Sequence, residues 1–552
     1  MPSPWTTWTT PARDRLAVLL LAALLFLPGL SLRDVWNPDE ARYAQVAREM
    51  SQRGSWAVPY LNGELYVQKP PLFFWTIALS GAVTGGVSEL DARLPSALTA
   101  IGAVLLVFLL GERFFGRRGA WLSVLVFATC FKVLWQGRFG QIDMLLTFWV
   151  TLAVWFWVSS WLDSRPRLVW GFWAATGLAT LTKGPVGLLP PLFAIVVFLL
   201  LTGRRAELRR LRAGWGLLLW AAVVLAWLVP AGIAAGGGYV ETLVFEQNVT
   251  RYADPWHHVQ PWYYYLTVIP ADFVPWSFFL PAALVVAAAR LREAGPRQWR
   301  RPPDLERMGL LFALSWVVVT VVFFSLSAGK RSVYVLTCYP ALALWVGGAL
   351  DHVAAAWPSW RRWVTVPFLL LVALLSIATV TVLGQGSQVA ELAVLGQGFF
   401  WVAFGVTAVL TLAALWGLQE GRRGRILRAV AGLAAGMAVL ELALGLYLLP
   451  AANPFKSARG LSEVLLERMA PGEEYGVFRR RDAGFPFYTG RSYEPLETVE
   501  ALQRFAARPE RVWILAERDE LAEVADPPPL WEVARDADER DGYLLLTNRP
   551  LQ

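Results

Sequence analysis

The stretch from Pro70 to Val87, PPLFFWTIALSGAVTGGV, holds no charged residue, and whether it crosses a bilayer decides which side of the membrane every later loop faces. Other apolar runs close to the ~20 residues a helix needs to span the hydrocarbon lie at 15–32, 93–115, 119–136, 142–162, 167–182, 185–202, 213–235, 265–289, 308–327, 332–350, 362–383, 399–417 and 427–450. Lys and Arg collect on the inner side of a membrane protein. With 70–87 left out of the count, the inner loops hold Arg113/Arg117/Arg118, Arg165/Arg167, Arg204/Arg205/Arg209/Arg210/Arg212, the run from Arg290 to Arg307, Arg361/Arg362 and Arg422/Arg423/Arg425/Arg428. With Arg13 and Arg15 these make 24 of the 36 basic residues before position 455. Counting 70–87 as a span would turn most of these clusters outward. The expectation is thirteen transmembrane helices, amino terminus inside and carboxyl terminus outside, with 70–87 re-entrant or lying at the interface. Pro70, Pro71, Gly81, Gly85 and Gly86 suit a segment buried against protein rather than a lipid-facing helix.

Composition agrees with a membrane protein that carries a soluble part. The 552 residues are 56% hydrophobic and 17% charged, with a mean hydropathy of +0.45, which excludes an ordinary soluble domain. The net charge of +8 is uneven, because residues 455–552 hold 14 basic and 19 acidic residues against 36 and 23 in the rest. That asymmetry reads as membrane topology and not as nucleic-acid binding. Residues 15–32 follow Arg13 and Arg15 without a small-x-small cleavage site, so a retained helix is expected. Cys130 and Cys338 sit far apart in apolar runs and read as buried hydrophobes.

Three outer segments follow from this topology: loop 33–92, loop 236–264 and the tail 455–552. The tail reads as a soluble α/β domain, with strands at Val477-Phe478, Val512 to Leu515 and Tyr543 to Leu546, and helical spacing at 457–469, 496–507 and 517–524. The rest, 1–454, is the membrane part. No internal repeat is evident, which gives no support to an inverted-repeat transporter.

The first outer loop opens with Trp36-Asn37-Pro38-Asp39-Glu40-Ala41-Arg42-Tyr43. Asn37 is expected to cap a helix with Pro38 at its first position, which puts Asp39 and Glu40 in the first turn, where the helix dipole favours ionised carboxylates. Asp39, Arg42 and Tyr43 then share a face. Tyr66 and Lys69 follow, and Pro70 pushes Lys69 into an extended conformation. Lysine is rare, five against 45 arginines. Of these Lys69, Lys183 and Lys330 fall on the outer side, where a compact ammonium suits a phosphate at headgroup depth. Asp143 opens the fourth span at its outer end, where an unpaired carboxylate is costly and points to a functional role. Arg251, Tyr252, His257 and His258 precede the aromatic run at 262–265. The adjacent histidines are a weak metal signal. Glu441, inside the last span, is assigned no role.

At these motifs the chain resembles the glycosyltransferase C superfamily, in the branch holding the lipid A aminoarabinose transferases and, more distantly, the protein O-mannosyltransferases. The matching pieces are Asn37 to Tyr43, Tyr66 to Leu72, Arg138 to Asp143, Thr182 to Pro185, and Ser327 to Tyr334 followed by Tyr339-Pro340. The resemblance implies an inverting transfer of a sugar from an undecaprenyl-phosphate type of carrier to lipid A or another extracytoplasmic acceptor, at a site under the first outer loop in a bacterial inner membrane. It implies Asp39 as the central carboxylate, with Asp143 as the second acid and Glu40 beside them. Lys69, Arg251 and Tyr334 would hold the carrier phosphate, supported by Arg42, Tyr43 and Tyr66; Lys330 and Arg331 can add positive charge. Family members carry a glutamate just before the lysine where this chain has Gln68, which puts the divalent metal that the resemblance implies in doubt, and no other cofactor is implied. A monomer is expected.

Chemistry supports the analogy, since expelling a lipid phosphate needs cations on the leaving group and a carboxylate near the incoming nucleophile. No G-x-x-x-x-G-K-[ST] stretch marks a soluble nucleotide site. The alternative is a secondary transporter or lipid flippase. It predicts charges spread through the bilayer midplane, whereas only Glu441 and Lys132 depart from the outer cluster. A receptor-like scaffold leaves the lysines and Asp143 unexplained.

Overall fold

The computed structural model describes residues 12–250, 252, 258–292, 304–385, 390–537 and 542–550. Two compact units emerge, one made of Met1–Pro28, Val67–Phe73 and Arg93–Leu444, the other of Gly29–Tyr66, Phe74–Ala92 and Gly445–Gln552.

The first unit is helical. Each of the thirteen expected spans meets a helix or a broken helix, while eight described helices are long and apolar enough to cross a bilayer unaided, or nine if one bent pair is a single span. The difference is length: Ala12–Phe26 and Val169–Lys183 have 15 residues each, and at 1.5 Å per residue such helices fall short of the ~30 Å hydrocarbon core. The helix Glu89–Ala128 covers two expected spans and is interrupted at Gly116 (φ 71°), a left-handed conformation that glycine adopts at no steric cost. The run 265–289 does not form one straight helix. Tyr264–Asp272 and Trp276–Arg290 meet at 112° around Pro275, whose ring removes a backbone donor. The carbonyls at this corner are taken by the helix break at 129–131, with Phe131 N donating to Val274 O (3.0 Å) and Cys130 Sγ to Asp272 O (3.4 Å). Segment 70–87 contains a 13-residue helix, Leu72–Thr84. Asp91 ties off its end, accepting from Ser80, Thr84 and Ser88.

The second unit is α/β. A hairpin of β1 (Tyr60–Leu61) and β2 (Glu64–Leu65) belongs to its loop part. Its sheet is formed by β3 (Glu474–Phe478), β4 (Glu494–Leu496), β5 (Val512–Glu517), β6 (Trp531–Arg535) and β7 (Tyr543–Thr547), in the order β4-β3-β5-β7-β6. The β4-β3-β5 pairs are parallel and the β5-β7-β6 pairs antiparallel. The continuous apolar run of β5 reflects burial on both faces: Trp513 and Leu515 join one core, Val512, Ile514 and Ala516 the other. The three expected strands and three helices are present in the tail, and β4 and β6 are additional.

Loop 33–92 was expected to belong with the membrane part, and the tail to begin at 455. Instead 29–66 and 74–92 group with 445–552, and named bonds show why. Asn62 exchanges hydrogen bonds with the backbone of Tyr493 (3.0 Å each), Val35 N donates to the Tyr488 hydroxyl (2.8 Å), and Arg459 pairs with Asp34 (3.1 Å).

Candidate functional site

In the second unit the helix Asp39–Arg53 carries the first motif. Asn37 does not cap it. Its amide donates to both oxygens of Asp482 (2.6 and 2.7 Å), Pro38 occupies the cap position, and no side chain caps the helix. A buried carboxylate costs too much without donors, so the tail claims the amide that local propensity had assigned to the helix. Burial still pushes the Asp482 carboxyl above the usual range, partly offset by the Gly484 amide and Asn37.

Glu40, 2% exposed, accepts from Arg33 Nη2 (2.9 Å) and Trp36 N (3.0 Å); both of its oxygens hold the turn that leads into the helix. Asp39 lies one residue earlier, in the first turn, with Arg42 Nη1 at 3.7 Å. Tyr43 and Tyr66 are buried against the Phe74 ring, at 5.8 Å and 5.7 Å between centroids. Five of the expected residues, Asp39, Glu40, Arg42, Tyr43 and Tyr66, thus belong to this unit.

In the first unit Asp143 stands in the first turn of the helix Ile142–Leu162 and Lys183 in the last turn of Val169–Lys183. They form a direct ion pair, each at the helix end whose dipole favours its charge. The Lys183 ammonium also lies 4.7 Å from the centroid of the Tyr334 ring. The structure therefore gathers Asp143, Lys183 and Tyr334.

Beside them Lys132 pairs with Asp272 (3.1 Å) and donates to Ser332 Oγ (2.7 Å), which fixes the segment Ser332–Cys338 that carries Tyr334.

Lys330 has a different surrounding from the one expected. It is buried, and its ammonium donates to the carbonyl oxygens of Gln260 (2.8 Å), Ser327 (2.5 Å) and Ala328 (3.4 Å). Burial lowers its pKa. An ammonium has three donors, so Lys330 locks its loop to 258–260, where Val259 bridges Gly329, and has none to spare for a phosphate. Arg331 and Lys69 are half-buried, Lys69 in the bend just before Leu72–Thr84. Arg251 and His257 lie outside the described residues. Among the described residues no group of three or more His, Cys, Asp or Glu side chains converges on a metal-sized point.

Glu441 gains a partner in Arg138 (2.9 Å), both buried. On the other side Gly137 allows a close approach to the first helix, since a Cβ there would meet the Phe26 ring at 2.5 Å. The close approach brings Arg138 Nη1 to Leu25 O (2.9 Å). The rarity of lysine was the signal for Lys132 and Lys183. No sequence signal paired Arg138 with Glu441.

The fold places the chain in a class, the integral-membrane glycosyltransferase C fold, by its likeness to solved structures. The crystal structure of ArnT from Cupriavidus metallidurans bound to undecaprenyl phosphate superposes with a TM-score of 0.80 at 21% identity, covering 98% of this chain and 99% of that one. The apo oligosaccharyltransferase of Archaeoglobus fulgidus matches with a TM-score of 0.52 at 13% identity, over 92% of this chain and 70% of that one. Residues 68–233 match the family model described as dolichyl-phosphate-mannose-protein mannosyltransferase.

The undecaprenyl phosphate-alpha-4-amino-4-deoxy-L-arabinose arabinosyl transferase of Shewanella sediminis is 33% identical over 343 residues, 60% of this chain and 59% of the relative. The protein of the same name from Pectobacterium carotovorum is 30% identical over 420 residues, 72% of each chain. The chain belongs to the undecaprenyl phosphate-aminoarabinose arabinosyl transferase family. It spans about three fifths of the length of several of the curated relatives it matches.

Proposed function

We propose that this chain is an integral-membrane glycosyltransferase that moves a sugar, 4-amino-4-deoxy-L-arabinose in the reading its relatives' names favour, from a polyprenyl-phosphate carrier to lipid A or another extracytoplasmic acceptor. The observation that carries this reading is the likeness to an arabinosyl transferase over 72% of both chains. In the reaction the bond between the sugar's anomeric carbon and the carrier phosphate breaks as an acceptor oxygen attacks from the opposite face. Negative charge grows on the departing phosphate, and cations there lower the barrier. Lys69 and Arg251 are proposed for that task, with the Tyr334 hydroxyl as a hydrogen-bond donor to the phosphate and Lys183 beside its ring. Asp39 takes the acceptor's proton or orients the acceptor, with Arg42 as its ion-pair partner at 3.7 Å. Glu40 serves as a positioning residue through Arg33 and Trp36.

The two charges that would otherwise favour a transporter are neutralised, Lys132 by Asp272 and Glu441 by Arg138. The test is turnover: purified protein in lipid, given a sugar-charged polyprenyl phosphate and lipid A, releases free polyprenyl phosphate and yields sugar-modified lipid A. Release that never exceeds the rate without acceptor would remove the transferase reading.

The proposal includes thirteen spans with the amino terminus inside and the tail outside, supported by helices at all thirteen positions and by the arginine clusters. Cys130 and Cys338 are both buried, so labelling of added cysteines has a low background. Glu64→Cys, at a side chain 60% exposed, labels with an impermeant thiol reagent on intact spheroplasts. Arg210→Cys, 58% exposed, labels only after the membrane is opened. The reverse pattern overturns the topology.

A further inference from the structure

Away from the proposed chemistry, at the arginine-rich end of the first unit, a groove of 540 Å³ is lined by Arg117, Arg118, Trp121, Leu125, Leu427 and Ala431. Its apolar walls are half-buried at Trp121, Leu125 and Ala431 and exposed at Leu427, so it opens outward from the helices Glu89–Ala128 and Ile426–Ala443. Two cations stand at its mouth, and their hydrogen bonds are one-sided. Arg117 uses Nε and Nη2 on the two oxygens of Asp14; Arg118 uses Nε and Nη2 on the side chain and carbonyl of Asp351. In each guanidinium the Nη1 amino group has no protein partner among the described residues, although both side chains are about half exposed.

The flank of the groove adds charge of the same sign. Arg428 follows Leu427, stands three residues before Ala431 and is 67% exposed; it shares the single carboxylate of Glu420 with Arg423 and Arg425. A second cavity, of 620 Å³, meets the same arginine pair and is lined by Arg113 and by four acids, Glu112, Asp304, Glu306 and Asp351, which outnumber its three arginines. Its acids repel an anion, which leaves the mouth of the apolar groove as the place where one is attracted. An apolar slot with unspent guanidinium donors at its rim, at the end of the bundle the charge rule assigns to the cytoplasm, matches a lipid that joins an acyl chain to an anionic phosphate.

We propose that this groove binds an anionic glycerophospholipid of the inner leaflet. Its phosphate bonds to Nη1 of Arg117 and Arg118, and one acyl chain lies over Trp121, Leu125, Leu427 and Ala431. The site is separate from the transfer reaction and does not depend on it.

Native mass spectrometry of the full chain in detergent tests this, with dioleoyl phosphatidylglycerol and dioleoyl phosphatidylcholine titrated in parallel. The wild type retains phosphatidylglycerol in preference to phosphatidylcholine. Arg118→Gln with Arg428→Gln lowers that preference by roughly fivefold for each arginine removed. Ala431→Trp fills the slot with all arginines in place and reduces retention of the anionic lipid, which separates a bound molecule from loose attraction. Arg361→Gln with Arg362→Gln, at exposed positions elsewhere among the inner arginines, leaves the preference unchanged. Equal retention of the two lipids by the wild type overturns the proposal. So does an equal loss in the Arg361/Arg362 variant, which would assign the effect to diffuse surface charge.

Discussion

Asp39→Asn, which keeps the shape of the side chain and removes its charge, is expected to slow release of polyprenyl phosphate by a factor of roughly 10² to 10⁴, the usual worth of a positioned proton-transfer group. The argument begins with the helix. Asp39 stands in the first turn of Asp39–Arg53, where unsatisfied backbone N–H groups favour an anion, and Arg42 is one turn on at 3.7 Å. Its neighbour Glu40 is committed to Arg33 and Trp36 and cannot substitute for it. Carrier binding, assayed separately with radiolabelled lipid, stays close to wild type, because the cations proposed for the phosphate are untouched. Undiminished turnover in this variant would remove Asp39 from the mechanism. A collapse of carrier binding would mean that the residue holds the donor and is not the base.

The second large effect concerns the pair Asp143–Lys183. Both side chains are nearly buried, 7% and 11% exposed, and removing one partner of a buried pair strands the other charge at a cost of about 3–5 kcal/mol. Asp143→Ala is therefore expected to lower the unfolding temperature in detergent sharply. Replacing both together, Asp143→Leu with Lys183→Met, recovers most of that stability, since a buried pair exchanged for apolar side chains of similar size is often neutral. Turnover does not recover with it, because the ammonium beside Tyr334 is gone. If the double variant regains stability and turnover alike, the pair is structural and takes no part in the chemistry. Unchanged stability in Asp143→Ala would show that the carboxylate is not paired as described.

Much of the tail was legible in the sequence because its central strands carry strong local signals. VWILA at 512–516 is continuous and apolar because both faces of β5 are covered. The two strands that escaped notice lie at the sheet's edges: β4 is the three residues Glu494–Leu496 with a proline among them, and β6 is Trp531–Arg535, partly exposed throughout. Edge strands alternate weakly, need only one hydrogen-bonded neighbour and tolerate proline, so they leave little trace in the pattern of side chains. Pro275 was visible as a residue, but nothing in its own sequence window said that the chain would turn by 112° there. That angle depends on which neighbouring groups accept and donate at the corner.

Composition and short-range periodicity were enough to place the apolar segments, the asymmetry of arginine between loops, and the acidic first turn at Asp39, because each follows from residues close together in the chain. The tertiary structure alone decided that Asn37 serves Asp482 and not the helix, that Lys330 is spent on backbone carbonyls, that Glu441 answers Arg138, and that the first loop belongs with the tail. These pairings join positions far apart in the chain. A buried charge must find a partner in space, and sequence separation does not encode that distance.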